Sequence, residues 1–157
     1  MEPRILALAD VLASELFADG SLADLVERYA RRLPLSVICE LLGLPSADRP
    51  RFIAWAQTLT RLTGVLGFLR NMDPATHVHP ETLDLARRPN RRLSFGTGIH
   101  FCLGHQRARI EAKCALEALF RQWPRLALAT PATAIRWRRR PGMRAIVTPM
   151  VAPSSLS

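Results

Sequence analysis

The stretch LSFGTGIHFCLGHQRARIEAK, residues 93–113, decides how this chain is interpreted. It sets glycines at positions 96, 98 and 104 around one cysteine, Cys102, and then turns into a helical pattern. Glycine is favoured where the backbone turns tightly or lets a large flat ligand approach. A sulfur just before a helix faces the amide ends and positive dipole of that helix, which favour thiolate over thiol. Cys102 is therefore predicted to be an anionic metal ligand, and a lone anionic sulfur suits haem iron.

The residues that follow predict the longest helix of the chain, from about Gln106 to Trp123, ended by Pro124. Arg107 with Glu111, and Lys113 with Glu117, have the i,i+4 spacing of helix-stabilising ion pairs. The predicted apolar stripe consists of Ala112, Ala115, Leu116, Leu119, Phe120 and Trp123.

The first sixty residues are predicted to form four helices. Apolar residues recur every three or four positions from Ile5 to Phe17, the spacing of one helix face. The start signals of the other three helices are Ser21 with Asp24, in the manner of a capping box, then Pro34, and then Ser46. Residues 1–63 are therefore treated as a helical segment whose apolar faces need partners.

Residues 64–157 are predicted to contain strands and a long loop as well as one helix. Val65 to Leu69 is predicted to be a short strand, and a loop with three prolines follows for about 35 residues, longer than most connections. After the long helix, the pieces LALAT, AIRWRR and RAIVTPMV are strand-like. The predicted fold is mainly α with a minor β component, and the length of 157 residues suits one domain.

Charge and cysteine content narrow the function classes. The net charge of +9 is concentrated after residue 60, where 16 basic and 5 acidic residues predict attraction to anions. Three cysteines without a C-x-x-C pair argue against a secreted disulfide framework, and no run of apolar residues is long enough to span a membrane. We expect a cytoplasmic protein that binds neither membranes nor nucleic acid, because its arginine clusters lack regular aromatic interleaving.

The segment FGTGIHFCLG, residues 95–104, matches every defined position of the haem-binding signature of the cytochrome P-450 family, F-G-x-G-x-[HR]-x-C-x-G. The flanks LDLARRPNRRLSFG and RIEAKCALEALFRQWP resemble the meander and proximal helix of soluble bacterial members. DLVERYARRLPLSVICELLGLPSADRPRFIAW also resembles an internal family segment that follows the first third of that fold.

The resemblance implies a role for each matching residue. Cys102 would be the axial thiolate on the iron of haem b, and His100 would hydrogen-bond a haem propionate. The other cofactor-binding positions implied are Phe95 against the sulfur, Gly96 and Gly104 at points of close approach, and Phe101 and Ala108 against the proximal face. The implied activity is oxygen insertion into a small organic substrate, with electrons from a ferredoxin or a flavoprotein reductase.

Several family elements have no counterpart in the sequence. The distal helix with its acid and alcohol residues is missing between segments that meet near Gly64 and Val65, and so are the Glu-x-x-Arg pair and the N-terminal third. Arg107 also stands where the family usually has leucine. We therefore expect a partial cytochrome P-450 fold with impaired or absent activity as a stand-alone chain, and possible self-association through uncovered apolar surfaces.

Other interpretations remain at this point. One alternative function is a non-catalytic haem-binding module or a degenerate remnant. A zinc site formed by His77, His79, His100, Cys102 and His105 is disfavoured because the spacings are irregular. Cys39 and Cys114 lie on apolar helical faces and are predicted to be core residues.

Overall fold

A computed structural model of the chain describes residues 1–59, 79, 86, 88, 95–96, 98–140 and 143–153. The described α-helices are α1 Glu2–Ser14, α2 Arg32–Leu41, α3 Arg49–Leu59 and α4 His105–Gln122. A short π-helix, Val26–Ala30, leads into α2, and 3₁₀ turns occupy Gly98–His100 and Ala132–Ala134. The strands are β1 Ala23–Asp24, β2 Leu126–Leu128, β3 Trp137–Arg140, β4 Met143–Ile146 and β5 Met150–Pro153.

The core lies between α1 and α4, which run parallel. Lys113 Nζ pairs with Glu2 at the start of α1, 2.9 Å away, and Arg121 pairs with Asp10 two turns later. The Trp123 indole N–H donates to the carbonyl of Ala13 over 2.8 Å. The two helices therefore keep a constant register along their whole contact, and the first residues of the chain pack against residues more than 100 positions later.

The buried side chains come from both segments of the sequence. The core residues are Ile5, Ala9, Leu12, Ala13, Leu16, Ala23, Tyr29, Leu33, Val37, Cys114, Ala118, Leu119 and Val151. Cys39 and Cys114 are fully buried and free, which confirms the prediction that both are core residues. Residues on either side of position 64 thus share one core.

A small antiparallel sheet also joins the two segments. The strand order is β1-β5-β2, with Ala23 opposite Val151 on one side and Leu128 opposite Val151 on the other. β3 and β4 form a separate two-stranded ribbon in which Trp137 faces Ile146. The mainly helical fold with a minor sheet is confirmed. RAIVTPMV, expected as one piece, forms two strands, β4 and β5, because the chain bends at Val147 between them.

Local signals explain most helix ends, and one prediction was wrong. The cap before the π-helix is Asp24 rather than Ser21, since Asp24 Oδ1 accepts from the amides of Val26 and Glu27 at 2.9 and 3.1 Å. Pro34 lies in the first turn of α2, where its missing N–H costs no hydrogen bond. Gly43, with φ of 62°, ends the helix in a left-handed conformation.

The predicted stripe of α4 was also partly wrong. Leu119 is buried, but Leu116 and Phe120 are 56 % and 50 % exposed. The side buried against α1 instead contains Cys114 and Ala118. The helix is apolar on two sides, so periodicity alone could not decide which side would be covered. The predicted strand at Val65–Leu69 and the proline-containing loop lie outside the described residues, except for three single positions.

Candidate functional site around Cys102

The backbone before α4 folds into a closed loop that ends at Cys102. The Cys102 amide donates to the carbonyl of Phe95 over 2.8 Å, and the Phe101 amide donates to Gly98 over 3.1 Å. Gly96 and Gly98 have φ values of 75° and 59°, in the left-handed region where glycine carries little cost. The glycine spacing of the sequence therefore gives a tight turn that fixes the position of the cysteine backbone.

The start of α4 fixes the other side of Cys102. The Cys102 carbonyl accepts a hydrogen bond from the His105 amide over 3.2 Å and lies 3.0 Å from His105 Nδ1. The first helical hydrogen bond beyond it joins the Ala108 amide to the Gly104 carbonyl, at 2.9 Å. Cys102 thus stands one turn ahead of the helix, as the sequence predicted.

The sulfur of Cys102 is accessible from outside. Cys102 is exposed, whereas the other two cysteines are buried. A Cβ built on Gly104 would lie 3.8 Å from Cys102 Sγ, an ordinary contact, and the φ of Gly104 is −84°. Among the described residues, nothing therefore requires glycine at position 104.

Large apolar side chains close to Cys102 in the sequence are exposed. Ile99 and Leu103 are 96 % and 102 % exposed, and Phe101 is 46 % exposed. Exposed large apolar residues close together in one loop are typical of a surface that receives a ligand. An exposed thiol in a loop with exposed apolar side chains can coordinate a metal held in a flat apolar macrocycle. These residues therefore fit the proximal side of a haem.

His105 is a residue of this region to which the sequence analysis gave no role in the haem site. Its ring packs edge-on against Phe101, with centroids 4.6 Å apart, and more distantly against Phe95, at 6.2 Å. Because it also contacts the Cys102 carbonyl, it holds the loop and the helix together. The available signal was its position in the first turn of the helix, directly after Gly104.

The other expected site residues lie in different surroundings. Phe95 and Gly96 are half-buried in the loop. His100 belongs to the 3₁₀ turn Gly98–His100, and its side chain lies outside what the structure describes. Ala108 lies in the first turn of α4 and lines a groove against the π-helix and α2. The loop thus brings Phe95, Phe101 and Cys102 together, while the propionate contact expected for His100 stays a prediction.

The described residues offer neither a metal-ion cluster nor a membrane-spanning helix. Over the described residues, no group of three or more His, Cys, Asp or Glu side chains is arranged to hold a metal ion, and His77 of the zinc hypothesis lies outside them. No helix in that part of the chain has the length and apolarity needed to cross a membrane.

Known proteins with similar sequences are cytochromes P450. Polyketide biosynthesis cytochrome P450 PksS of Bacillus subtilis is 42 % identical over 87 residues, which are 55 % of this chain and 21 % of that protein. 6-Deoxyerythronolide B hydroxylase of Saccharopolyspora erythraea is 42 % identical over 76 residues, 48 % of this chain and 19 % of that protein. No family model matches the chain.

Solved structures show the same fold. Bacillus subtilis PksS matches 98 % of this chain and 74 % of its own with a TM-score of 0.76 and 20 % identity. The myxobacterial cytochrome P450 CYP267B1, solved with myristic acid, matches 99 % of this chain and 72 % of its own with a TM-score of 0.77 and 21 % identity. These matches define a partial cytochrome P450 fold.

The chain is similar in sequence to cytochromes P450 over about half of its length and has part of their fold. The sequence matches span about a fifth of the length of the curated relatives. If 87 residues are 21 % of PksS, that protein is more than twice as long as this chain of 157 residues. A match to 74 % of the PksS structure therefore passes over PksS residues that have no counterpart here, in agreement with the expected internal deletion.

Proposed function

We propose that this chain binds haem b with Cys102 as the axial thiolate, and that it derives from a monooxygenase of the cytochrome P450 type with little or no activity as a stand-alone chain. The observation that carries the proposal is the exposed Cys102 thiol, held by backbone hydrogen bonds directly ahead of α4. The family of the relatives implies haem.

Residues of the loop have separate tasks in this proposal. The Phe95 carbonyl and the His105 amide hold the Cys102 backbone from both sides, so the sulfur needs little reorganisation to coordinate. Phe101 and Leu103 give the macrocycle apolar surface on the sulfur side. His100 takes the haem propionate, Gly96 and Gly104 permit close approach of the ring, and Ala108 completes the proximal wall.

Bound haem would supply the capacity to activate dioxygen, and Cys102 would hold its iron as a thiolate. The residues that carry the proposal all lie on the sulfur side. An apolar disc gains about 25 cal/mol for each Å² removed from water, so a haem covered on one side is held weakly. Water that reaches the open side would divert reduced oxygen before it meets a substrate. Low autonomous activity follows from this one-sided cover.

The expected partner is a redox protein. Cytochromes P450 generally take electrons from a ferredoxin or a flavoprotein reductase. Arg109 is exposed and Arg107 half-exposed on the first turns of α4, close in sequence to Cys102. With the excess of basic residues after position 60, these arginines favour an acidic partner surface. The substrate class proposed is a small organic molecule.

Spectroscopy of the carbon monoxide complex tests the haem proposal. The chain is mixed with haem, reduced and exposed to carbon monoxide, and Cys102→Ser is treated in the same way. We expect a red-shifted Soret band in the wild type that is absent in the variant, because only a thiolate ligand gives that shift. Cys114→Ser is the matched control, since Cys114 is buried away from the loop. Failure of the wild type to retain haem, or an unchanged band in Cys102→Ser, would disprove thiolate ligation.

The alternative function is a haem-binding module without catalysis. Oxygen uptake with a reductase and electron donor separates the two. Oxygen consumption that produces hydrogen peroxide indicates a leaky monooxygenase site, whereas a haem that is reduced without oxygen consumption indicates a module. Cover of the haem on the sulfur side alone favours the leaky site, because water can reach its other side.

A further inference from the structure

A groove runs along α4 on the side away from α1. It lies between α4 and the π-helix with the start of α2, and its volume is about 480 Å³. The lining residues are Leu25, Tyr29, Ala30, Leu33, Pro34, Ala108, Glu111, Ala112, Ala115, Leu116 and Leu119. They recur every three to four positions on both walls, so the groove follows the helices for about three turns.

One carboxyl group interrupts this apolar lining. Glu111 is 8 % exposed, and no hydrogen bond or ion pair reaches its carboxylate from the part of the chain that the structure describes. The predicted pair with Arg107 is not among the described ion pairs, and the Arg107 guanidinium donates to Met1 Sδ over 3.4 Å. Burial raises the pKa of Glu111, and the more distant charge of Arg107 lowers it. A cation that enters the groove would stabilise the ionised form of this carboxyl group.

α3 presents the complementary set of side chains. Trp55 is 65 % exposed, and the Arg51 guanidinium lies 5.4 Å from the centroid of its ring. Within the described ranges Arg51 makes no ion pair. Tryptophan and arginine are both enriched at interface hot spots.

We propose that α3 of a second copy of this chain docks into the groove, with Trp55 in its apolar part and Arg51 opposite Glu111. The lengths agree: the 11 residues of α3 extend for about 16 Å, as do the α4 residues from Ala108 to Leu119. Three alanines, at 108, 112 and 115, let another helix approach α4 closely.

In this dimer the α3 helix of each copy docks into the groove of the other copy, so the assembly stops at two copies. Each copy carries one groove and one α3, so two copies related by a twofold axis satisfy each other and leave neither surface open. Two tryptophan side chains, each burying about 150–250 Å², would anchor the dimer. The two Arg51–Glu111 contacts would fix its register and would reject partners that lack the cation.

Charge reversal measured by sedimentation equilibrium tests the proposal with the full chain. We expect a reversible dimer for the wild type. Arg51→Glu and Glu111→Lys should each raise the dissociation constant by at least about tenfold, because each places like charges together. The double variant should return to within about threefold of the wild type. Arg4→Glu and Glu117→Lys are matched controls, since both residues lie on other helix surfaces and are exposed.

A second measurement remains decisive if Glu111→Lys fails to fold. Trp55 is replaced by p-benzoylphenylalanine, which stays aromatic, and copies labelled with ¹⁵N are mixed with unlabelled copies before irradiation. We expect cross-linked peptides that join position 55 of one copy to residues 108–119 of the other. A monomer at every concentration, cross-links to other surfaces, or a double variant as weak as the single ones would overturn the proposal.

Discussion

The α1–α4 interface and the loop around Cys102 adjoin the same helix, yet their relations to solvent are opposite. Along α4 toward its end, Cys114, Ala118 and Leu119 are buried and charged pairs seal the edges. Ahead of its first turn, Ile99, Cys102 and Leu103 are exposed, although backbone hydrogen bonds hold the loop in place. Side-chain packing therefore fixes the conformation of the α1–α4 interface, whereas glycine-dependent turns fix the conformation of the Cys102 loop. The first region stabilises the chain, and the second leaves a reactive atom accessible.

Thiol labelling should show the largest difference between the two regions. Cys102 is exposed, whereas Cys39 and Cys114 react only when the fold opens. With the marginal stability usual for domains, about 5 kcal/mol, Cys102 should react with a maleimide at least about 1000-fold faster than the others. Timed mass spectrometry would show one rapid addition in the native protein and three in denaturant. Equal rates at Cys102 and Cys114 would contradict the described core.

A pair of leucine variants on α4 should show the next largest difference. Leu119 is 4 % exposed and Leu116 is 56 % exposed, one turn apart. Leu119→Ala should lower the free energy of unfolding by about 3 kcal/mol, since it leaves a cavity in the core. Leu116→Ala should change it by less than about 0.5 kcal/mol when measured in dilute solution, where the groove stays open. Urea unfolding provides both values, and similar losses would place Leu116 in the core.

The hydrogen bond that ends the α1–α4 contact should have an intermediate effect. The Trp123 indole donates to the Ala13 carbonyl, and its ring meets Phe17 edge-on at 4.8 Å. Trp123→Phe keeps most of the ring contact and removes the donor, so we expect a loss of about 1–2 kcal/mol. Trp55→Phe, at an exposed position, is the control for removing an indole. Thermal unfolding would measure both, and equal shifts would contradict this role of Trp123.

Tyr29 should give the smallest effect near neutral pH and a distinctive one in alkali. Its hydroxyl donates to the Ala115 carbonyl over 2.7 Å, and burial, with the charges of Asp10 and Cys114, raises the pKa of Tyr29 to about 12. The folded chain thus keeps this proton to higher pH than the unfolded chain, whose pKa is near 10. The contribution of Tyr29 is complete below pH 10 and is lost as the pH rises toward 12.

Tyr29→Phe separates these two contributions. The variant should lose about 1 kcal/mol at pH 8 because the hydrogen bond is gone. Between pH 10 and 11.5 its stability should fall less steeply than that of the wild type. Urea unfolding at each pH would check the slopes, and parallel slopes would show that Tyr29 is not buried as described.

The sequence predicted more of the chain's local structure than of its packing. Periodicity with proline and glycine signals located α1, α2 and α4 within a few residues, because these signals act over one or two turns. It failed for Leu116 and Phe120, because both sides of α4 are apolar and only the position of α1 decides which is covered. Ser21 was misassigned as a cap for a similar reason: β1 pairs with β5, so the π-helix begins only at Val26 and Asp24 caps it.

For the site, the sequence predicted the environment of the cysteine better than its neighbours. The signature residues located the loop and its turn glycines, since these follow from backbone chemistry close to Cys102, whereas the exposure of the thiol was not predicted. The packing of His105 on Phe101 depends on how the loop meets α4 and has no periodic signal. The groove at Glu111 was not predicted either. The i,i+4 spacing suggested that Glu111 pairs with Arg107, whereas the Arg107 guanidinium contacts Met1 in the structure.

The parallel register of α1 and α4 has a consequence for biosynthesis. α1 is made first, but the residues that cover it extend to Gln122 and Trp123. At the usual ~5–20 residues per second, roughly 5–20 s of translation separate the two helices. During that time Ile5 and Leu12 have no α4 to bury them. The nascent chain is thus exposed to chaperones and to its neighbours on the same polysome until its last helix has left the ribosome.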